Sequence, residues 1–117
     1  MATPNLINAT TINGLTAVAA VTTTPTSIVT NAGSSGKAQR INSLIVSNVN
    51  GTTAATVTVS ILRSATSYRL VYLMSVPAAS SLDLIGKTVY LNEGDALQIS
   101  ASVNSYLEAV VSYEEIS

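Results

Sequence analysis

The residues of this sequence that could carry out chemistry are few, and they are mostly acids and hydroxyls. Glu93 and Asp95 flank Gly94 in Leu91-Asn92-Glu93-Gly94-Asp95-Ala96-Leu97. Oxygens of Asn92, Glu93 and Asp95 at that spacing could begin a calcium site, but calcium takes about six to eight oxygen ligands. A tight turn between two strands explains the segment better, with Gly94 at positive φ and Asp95 bonding the turn backbone. Glu114 and Glu115 close the final apolar stretch, where exposed charges discourage sheets from stacking edge to edge. A serine or threonine nucleophile would need a base beside it. Only Lys37 and Lys87 could serve, and each follows a glycine in a loop-like stretch where nothing would desolvate it. Gly33-Ser34-Ser35-Gly36-Lys37 lacks the G-x-x-x-x-G-K-[ST] spacing of a phosphate loop and is followed by Ala38, so it reads as a connector.

The inventory narrows the field further. The chain has 117 residues with 5 Lys+Arg and 6 Asp+Glu, and it contains no His, Cys, Trp or Phe. That excludes zinc, haem, thiol and disulfide chemistry and removes the usual general base. Charged residues make up 9 % of the chain, against roughly 25 % in an ordinary soluble domain. A formal net charge of −1 provides no basic patch for nucleic acid or an anionic membrane. The expectation is a chain that is not an enzyme, with no catalytic residues, no cofactor and no metal. Without cysteine, the redox compartment stays open.

Such a chain must bury its apolar residues in one core, and its length fits a single domain. No basic residue precedes Lys37, and the longest strictly apolar runs are Ala17–Val21 and Leu70–Met74. No export signal or membrane span is therefore expected, since a spanning helix needs around 20 apolar residues. From Ala38 onward the pattern has period two, the strand signature. In Thr56-Val57-Thr58-Val59-Ser60-Ile61 the aliphatic residues face one way and the hydroxyls the other. The same alternation marks Leu97–Val103 and Leu107–Tyr113. Strands are expected at about 15–21, 26–31, 39–49, 55–63, 68–76, 81–85, 87–91, 95–103 and 106–115. Leu15–Val21 is the best helical candidate, but it is short and runs into Thr22-Thr23-Thr24-Pro25. Asn50-Gly51 predicts that segments 41–49 and 55–63 pair antiparallel across a loop. Ser64-Ala65-Thr66-Ser67, bracketed by Arg63 and Arg69, reads as a second hairpin turn. The fold class is all-β: a single β-sandwich of about eight strands, jelly-roll-like or immunoglobulin-like.

Two segments point outward. Residues 1–36 carry no charged side chain yet hold Leu6, Ile7, Ile12 and Leu15. Residues 1–15 are expected to form an extended N-terminal arm, with 16–117 as the sandwich, and Ala2–Leu15 would lie along a neighbouring subunit by strand addition. The competing reading makes the same residues the first strands of the chain's own sandwich. The second segment, Tyr68–Val76, is apolar on both faces: Leu70, Tyr72, Met74 and Val76 on one, Val71 and Leu73 on the other. In a small sandwich such a strand points to cover by another subunit. Leu6, Ile7, Ile12, Leu70, Tyr72, Leu73 and Met74 are the candidate interface residues. Tyr68, Tyr72, Tyr90, Tyr106 and Tyr113 are all the aromatics, and on a sandwich rim they would suit a carbohydrate or a protein partner.

Several stretches look familiar together: Arg40–Asn48, Asn50–Ala55 with Thr56-Val57-Thr58-Val59, Val76-Pro77-Ala78, Leu91–Leu97, and the ending Val110–Ile116. Over roughly residues 26–117 they resemble small β-sandwich virion proteins of tailed bacteriophages, particularly cyanophages. The resemblance implies a virion structural protein, either a capsid decoration (cement) protein or an accessory of the neck or tail. It implies partners too: other copies of the chain and a major capsid, neck or tail protein, with no nucleic acid or membrane. It supplies no catalytic residues. A carbohydrate- or receptor-binding module of a tail fibre is the alternative.

Overall fold

A computed structural model describes residues 5–117. Its nine strands are β1 (Ile12–Ala20), β2 (Thr26–Thr30), β3 (Ala38–Asn48), β4 (Ala55–Arg63), β5 (Thr66–Val76), β6 (Ser81–Asp83), β7 (Val89–Leu91), β8 (Ala96–Ala101) and β9 (Leu107–Ile116). Period two and the abundance of Val, Ile and Thr favour strands along nearly the whole chain. The Leu15–Val21 stretch is accordingly strand over most of its length.

One sheet runs β1-β9-β3-β6, with β7 also paired to β3, and the other runs β2-β8-β4-β5. All the pairs are antiparallel. Outermost strands pair first with last, β1 with β9 and β2 with β8, then β3 with β6 and β7, and β4 with β5. This nesting is a long hairpin rolled upon itself, which settles the strand order as a jelly roll rather than an immunoglobulin-like sandwich. The chain passes between sheets at Val21 and Thr22: Val21 N donates to Leu107 O in one sheet, and Thr22 O accepts from Ala101 N in the other.

Between the sheets lies an aliphatic core. Ile41, Leu44 and Val46 of β3 and Leu107 and Val111 of β9 meet Val57 and Val59 of β4 and Leu97 of β8, and all are inaccessible to solvent. With no Phe or Trp available, β-branched residues and leucines fill the layer, and tyrosines pack only at its margin. Glu108, Val110 and Ser112 alternate with these core residues and point outward.

The pairing expected across Asn50-Gly51 does not occur, because β3 and β4 belong to opposite sheets. The reason is local. Asn50 Oδ1 accepts from the amides of Thr52 and Thr53, both at 2.9 Å, so it builds an Asx turn instead of a two-residue hairpin. Asn48 anchors the crossing, donating from Nδ2 to Thr53 O at 3.0 Å and Val76 O at 3.1 Å. The antiparallel partner of β4 is β5. Ser64 and Ala65 join them at φ 52° and 63°, the left-handed pair that a type I′ turn needs.

At the N-terminus, Leu6–Asn8 form a 3₁₀ turn capped by the Asn5 side chain. Thr10 N and Thr11 N both donate to Ser117 O. All of β1, including residues 12–15, then pairs with β9 from Ile12↔Ile116 to Ala20↔Glu108. The strand starts at Ile12, so residues 12–15 belong to the sheet and not to the arm, and residues 5–11 are the described part of the expected arm outside it. Residues 1–4, the rest of the expected arm, lie outside the described residues.

Candidate functional site

The two sheets end in long strands with one unpaired edge each, β1 in the first sheet and β5 in the second. Edge strands of this length expose a row of backbone donors and acceptors. β5 is irregular as well. Between Val57↔Met74 and Val59↔Val71, Tyr72 and Leu73 stand opposite Thr58 alone, and between Val59↔Val71 and Ser60↔Arg69, Leu70 has no counterpart. Leu73 takes φ 51°, and its amide donates to Thr58 Oγ1 at 3.2 Å in place of a ladder carbonyl. Each bulge adds a residue to one strand and re-aims its side chains. Val71 and Val76 still reach inward. Tyr68, Leu70, Tyr72, Leu73 and Met74 are left in solvent, Tyr72 at 62 % and Leu73 at 55 %.

A second apolar surface lies on the outer face of the first sheet. Val18 of β1, Val110 of β9 and Ile45 of β3 stand in one register row, which continues to Asp83 of β6. Val18 is 74 % exposed. The adjacent row is Ala20, Glu108, Ser47 and Ser81. The carboxylate of Glu108 therefore borders the Val18–Val110–Ile45 row.

Most other charges are tied to the fold. Asp95 is buried, and its carboxylate accepts from Arg63 Nε at 2.8 Å, Arg63 Nη2 at 2.5 Å and Asn92 N at 2.8 Å. Arg63 holds the Asp95 carboxyl below its ordinary range, with the Asn92 amide adding to the effect against burial. Glu114 is likewise held low, first by Arg40 and then by Asn42. Glu115 is held low by Lys37, whose Nζ lies 2.9 Å from its Oε1, and then by Gln39. Glu93 Oε2 accepts from Gly36 N at 2.9 Å. With Gly94 at φ 87°, the Glu93–Asp95 segment is a turn whose acids lock the Gly36 and Arg63 segments beside it.

Every expected interface residue is exposed, but they form two groups. Leu70, Tyr72, Leu73 and Met74 are together on β5, in the second sheet. Leu6, Ile7 and Ile12 lie where the chain enters β1 beside the end of β9, in the first sheet. The tyrosines do not make one platform: Tyr68 and Tyr72 are on β5, Tyr90 is on β7 opposite Arg40, and Tyr106 and Tyr113 pack on the core. The Val18–Val110–Ile45 row was not expected. Its signal in the sequence is the broken alternation of Leu44-Ile45-Val46 and Val110-Val111, where apolar residues fall on both faces.

No protein-family model matches the sequence, and no curated protein matches it. Among solved structures, the fold is similar to a chain of the Bacillus endospore appendages, described as a novel family of disulfide-linked pili. The TM-score is 0.54 at 12 % identity, over 99 % of this chain and 95 % of that one. At this identity the likeness concerns the fold, an all-β sandwich matched over nearly its whole length. That neighbour is an appendage protein, so the comparisons add nothing to the phage resemblance.

Proposed function

We propose that this chain is a non-enzymatic structural subunit that associates with copies of itself inside a larger assembly. The observation that carries the proposal is β5: an edge strand with Tyr68, Leu70, Tyr72, Leu73 and Met74 all in solvent. A contiguous apolar patch at an open sheet edge marks an interaction site. The non-enzymatic part rests on the residue inventory and on Glu93, Asp95, Glu114 and Glu115 being engaged in structural bonds. The finer reading places the assembly in a tailed-phage virion, as head decoration or as a neck or tail accessory, and rests on the sequence resemblance. The pilus neighbour favours a surface appendage instead. In either setting the subunits would be held without disulfides, because the chain has no Cys.

Sedimentation of the wild-type chain beside a Tyr72→Ser/Leu73→Ser double variant tests the proposal. The wild type is expected to sediment as oligomers and the variant mainly as monomer. Equal sedimentation of the two as monomers would overturn it. A second reading, a carbohydrate-binding module, is favoured by a groove of about 220 Å³ on the outer face of the second sheet, lined in part by Thr58, Arg69, Tyr72, Gln98 and Ser100. A glycan array separates it: the assembly reading expects no binding, and a hit abolished by Tyr72→Ala would favour the module.

A further inference from the structure

Arg69 and Glu108 are exposed, have no ion-pair partner among the described residues, and each adjoins one of the two apolar surfaces. The Arg69 guanidinium lies 4.6 Å over the Tyr72 ring and meets no carboxylate. Glu108 has no ion-pair partner and borders Val18, Val110 and Ile45, with Asp83 at the far end of that row. One surface is thus apolar with a positive centre, the other apolar with a negative border. Lys87, also without an ion pair among the described residues, sits in the exposed connection 86–88 between β6 and β7, outside the strands that carry either surface.

We propose that the β5 margin of one copy docks onto the outer face of the β1-β9-β3 sheet of the next, with Arg69 of one copy facing Glu108 of its neighbour. This deepens the assembly proposed above and rests on it. Opposite charges set within matching apolar patches fix orientation and exclude wrong pairings more than they add affinity. The two surfaces differ, so the contact is heterologous: each copy has a free surface of each kind, and the chain of contacts grows head to tail instead of closing as a two-fold dimer.

Charge reversal tests this without touching the core, because both side chains are exposed. Arg69→Glu alone sets Glu against Glu108, and Glu108→Arg alone sets Arg against Arg69. Each purified variant should need about tenfold more protein to assemble, the change produced by about 1.4 kcal/mol per contact. Mixing the two variants in equal amounts restores an opposite-charge pair at every contact, so assembly should recover to the wild-type level. Far-ultraviolet circular dichroism confirms that both variants are folded. Recovery on mixing supports the contact. Single variants that assemble like the wild type, or a mixture that stays as weak as its parts, would overturn it while leaving wild-type self-association intact. A two-fold contact of β5 with β5 leaves Glu108 outside the interface, so Glu108→Arg would assemble like the wild type, the first of these outcomes. A wild type that never assembles would instead remove the parent proposal.

Discussion

Removing the Asp95 carboxylate tests how the turn before β8 is held. Asp95 is 2 % exposed and accepts three hydrogen bonds, two from Arg63 and one from Asn92 N. A hydrogen bond to a charged group contributes about 1.5–3 kcal/mol. Arg63 is half exposed, so its guanidinium regains water when the carboxylate is lost, and its pair with Asp95 adds under about 1 kcal/mol to the Asn92 bond. Asp95→Ala should therefore cost about 2–3 kcal/mol, or roughly 8–12 °C in Tm for a domain of this size. Asp95→Asn keeps a carbonyl acceptor and should cost about 1–2 kcal/mol. The pH dependence carries the more specific signature. Arg63 first, then the Asn92 amide, hold the Asp95 carboxyl below its ordinary range. The unfolded chain then binds this proton more readily than the folded one. The contribution is complete above about pH 4, near the unfolded value, and is lost as the pH falls through the lower folded value. Urea unfolding from about pH 7 down to about pH 2 should show a wild-type advantage over Asp95→Asn that shrinks in acid. Part of the acid slope remains in the variant, because Glu114 and Glu115 are also held low. A stability gap that stays constant between those pH values would refute the reasoning.

The remaining predictions concern the core, the bulge and the leader. Leu97→Ala, at a fully buried site, should cost about 2–5 kcal/mol in urea unfolding, and Thr56→Ala on the outer face of β4 under about 1 kcal/mol; equal costs would put the faces of β4 and β8 in error. Leu73→Asn suits the positive φ at that position, since Asn tolerates the left-handed region; thermal unfolding should be unchanged or slightly raised while self-association weakens. Deleting residues 2–9 removes only chain that precedes the Ser117 bonds and β1, so cooperative unfolding should persist; its loss would make the leader part of the core.

Strand positions were legible in the sequence because period two is a local property. The inward faces of β4, β8 and β9 follow directly from Val57/Val59, Leu97/Ile99 and Leu107/Ala109/Val111. The turn at Glu93–Asp95 was legible too, since Gly94 and Asp95 carry their own geometry. Which strands pair was not, apart from the β4–β5 hairpin. β4 presents one apolar face and β3 one that is mainly apolar, and that pattern is satisfied equally by lying side by side or by facing each other across the core. The choice fell to Asn48 and Asn50, whose side chains bond the connecting loop. The hairpin turn read at Ser64-Ala65-Thr66-Ser67 is there, centred on Ser64-Ala65, but its left-handed backbone was not legible because the pair has no glycine. On the candidate surface, β5 was visible as a strand apolar on both faces, but its two bulges depend on pairing with β4 and leave no mark in composition. The Val18–Val110–Ile45 row exists only once β1, β9 and β3 are in register.

The central claim, that this chain assembles with itself through exposed apolar strands, is tested most directly by multi-angle light scattering of the purified chain over a wide concentration range. A mass that climbs with concentration in steps of the 12.0 kDa subunit, and falls back to one subunit in the Tyr72→Ser/Leu73→Ser variant, is the predicted result. A constant 12.0 kDa at every concentration would contradict the account.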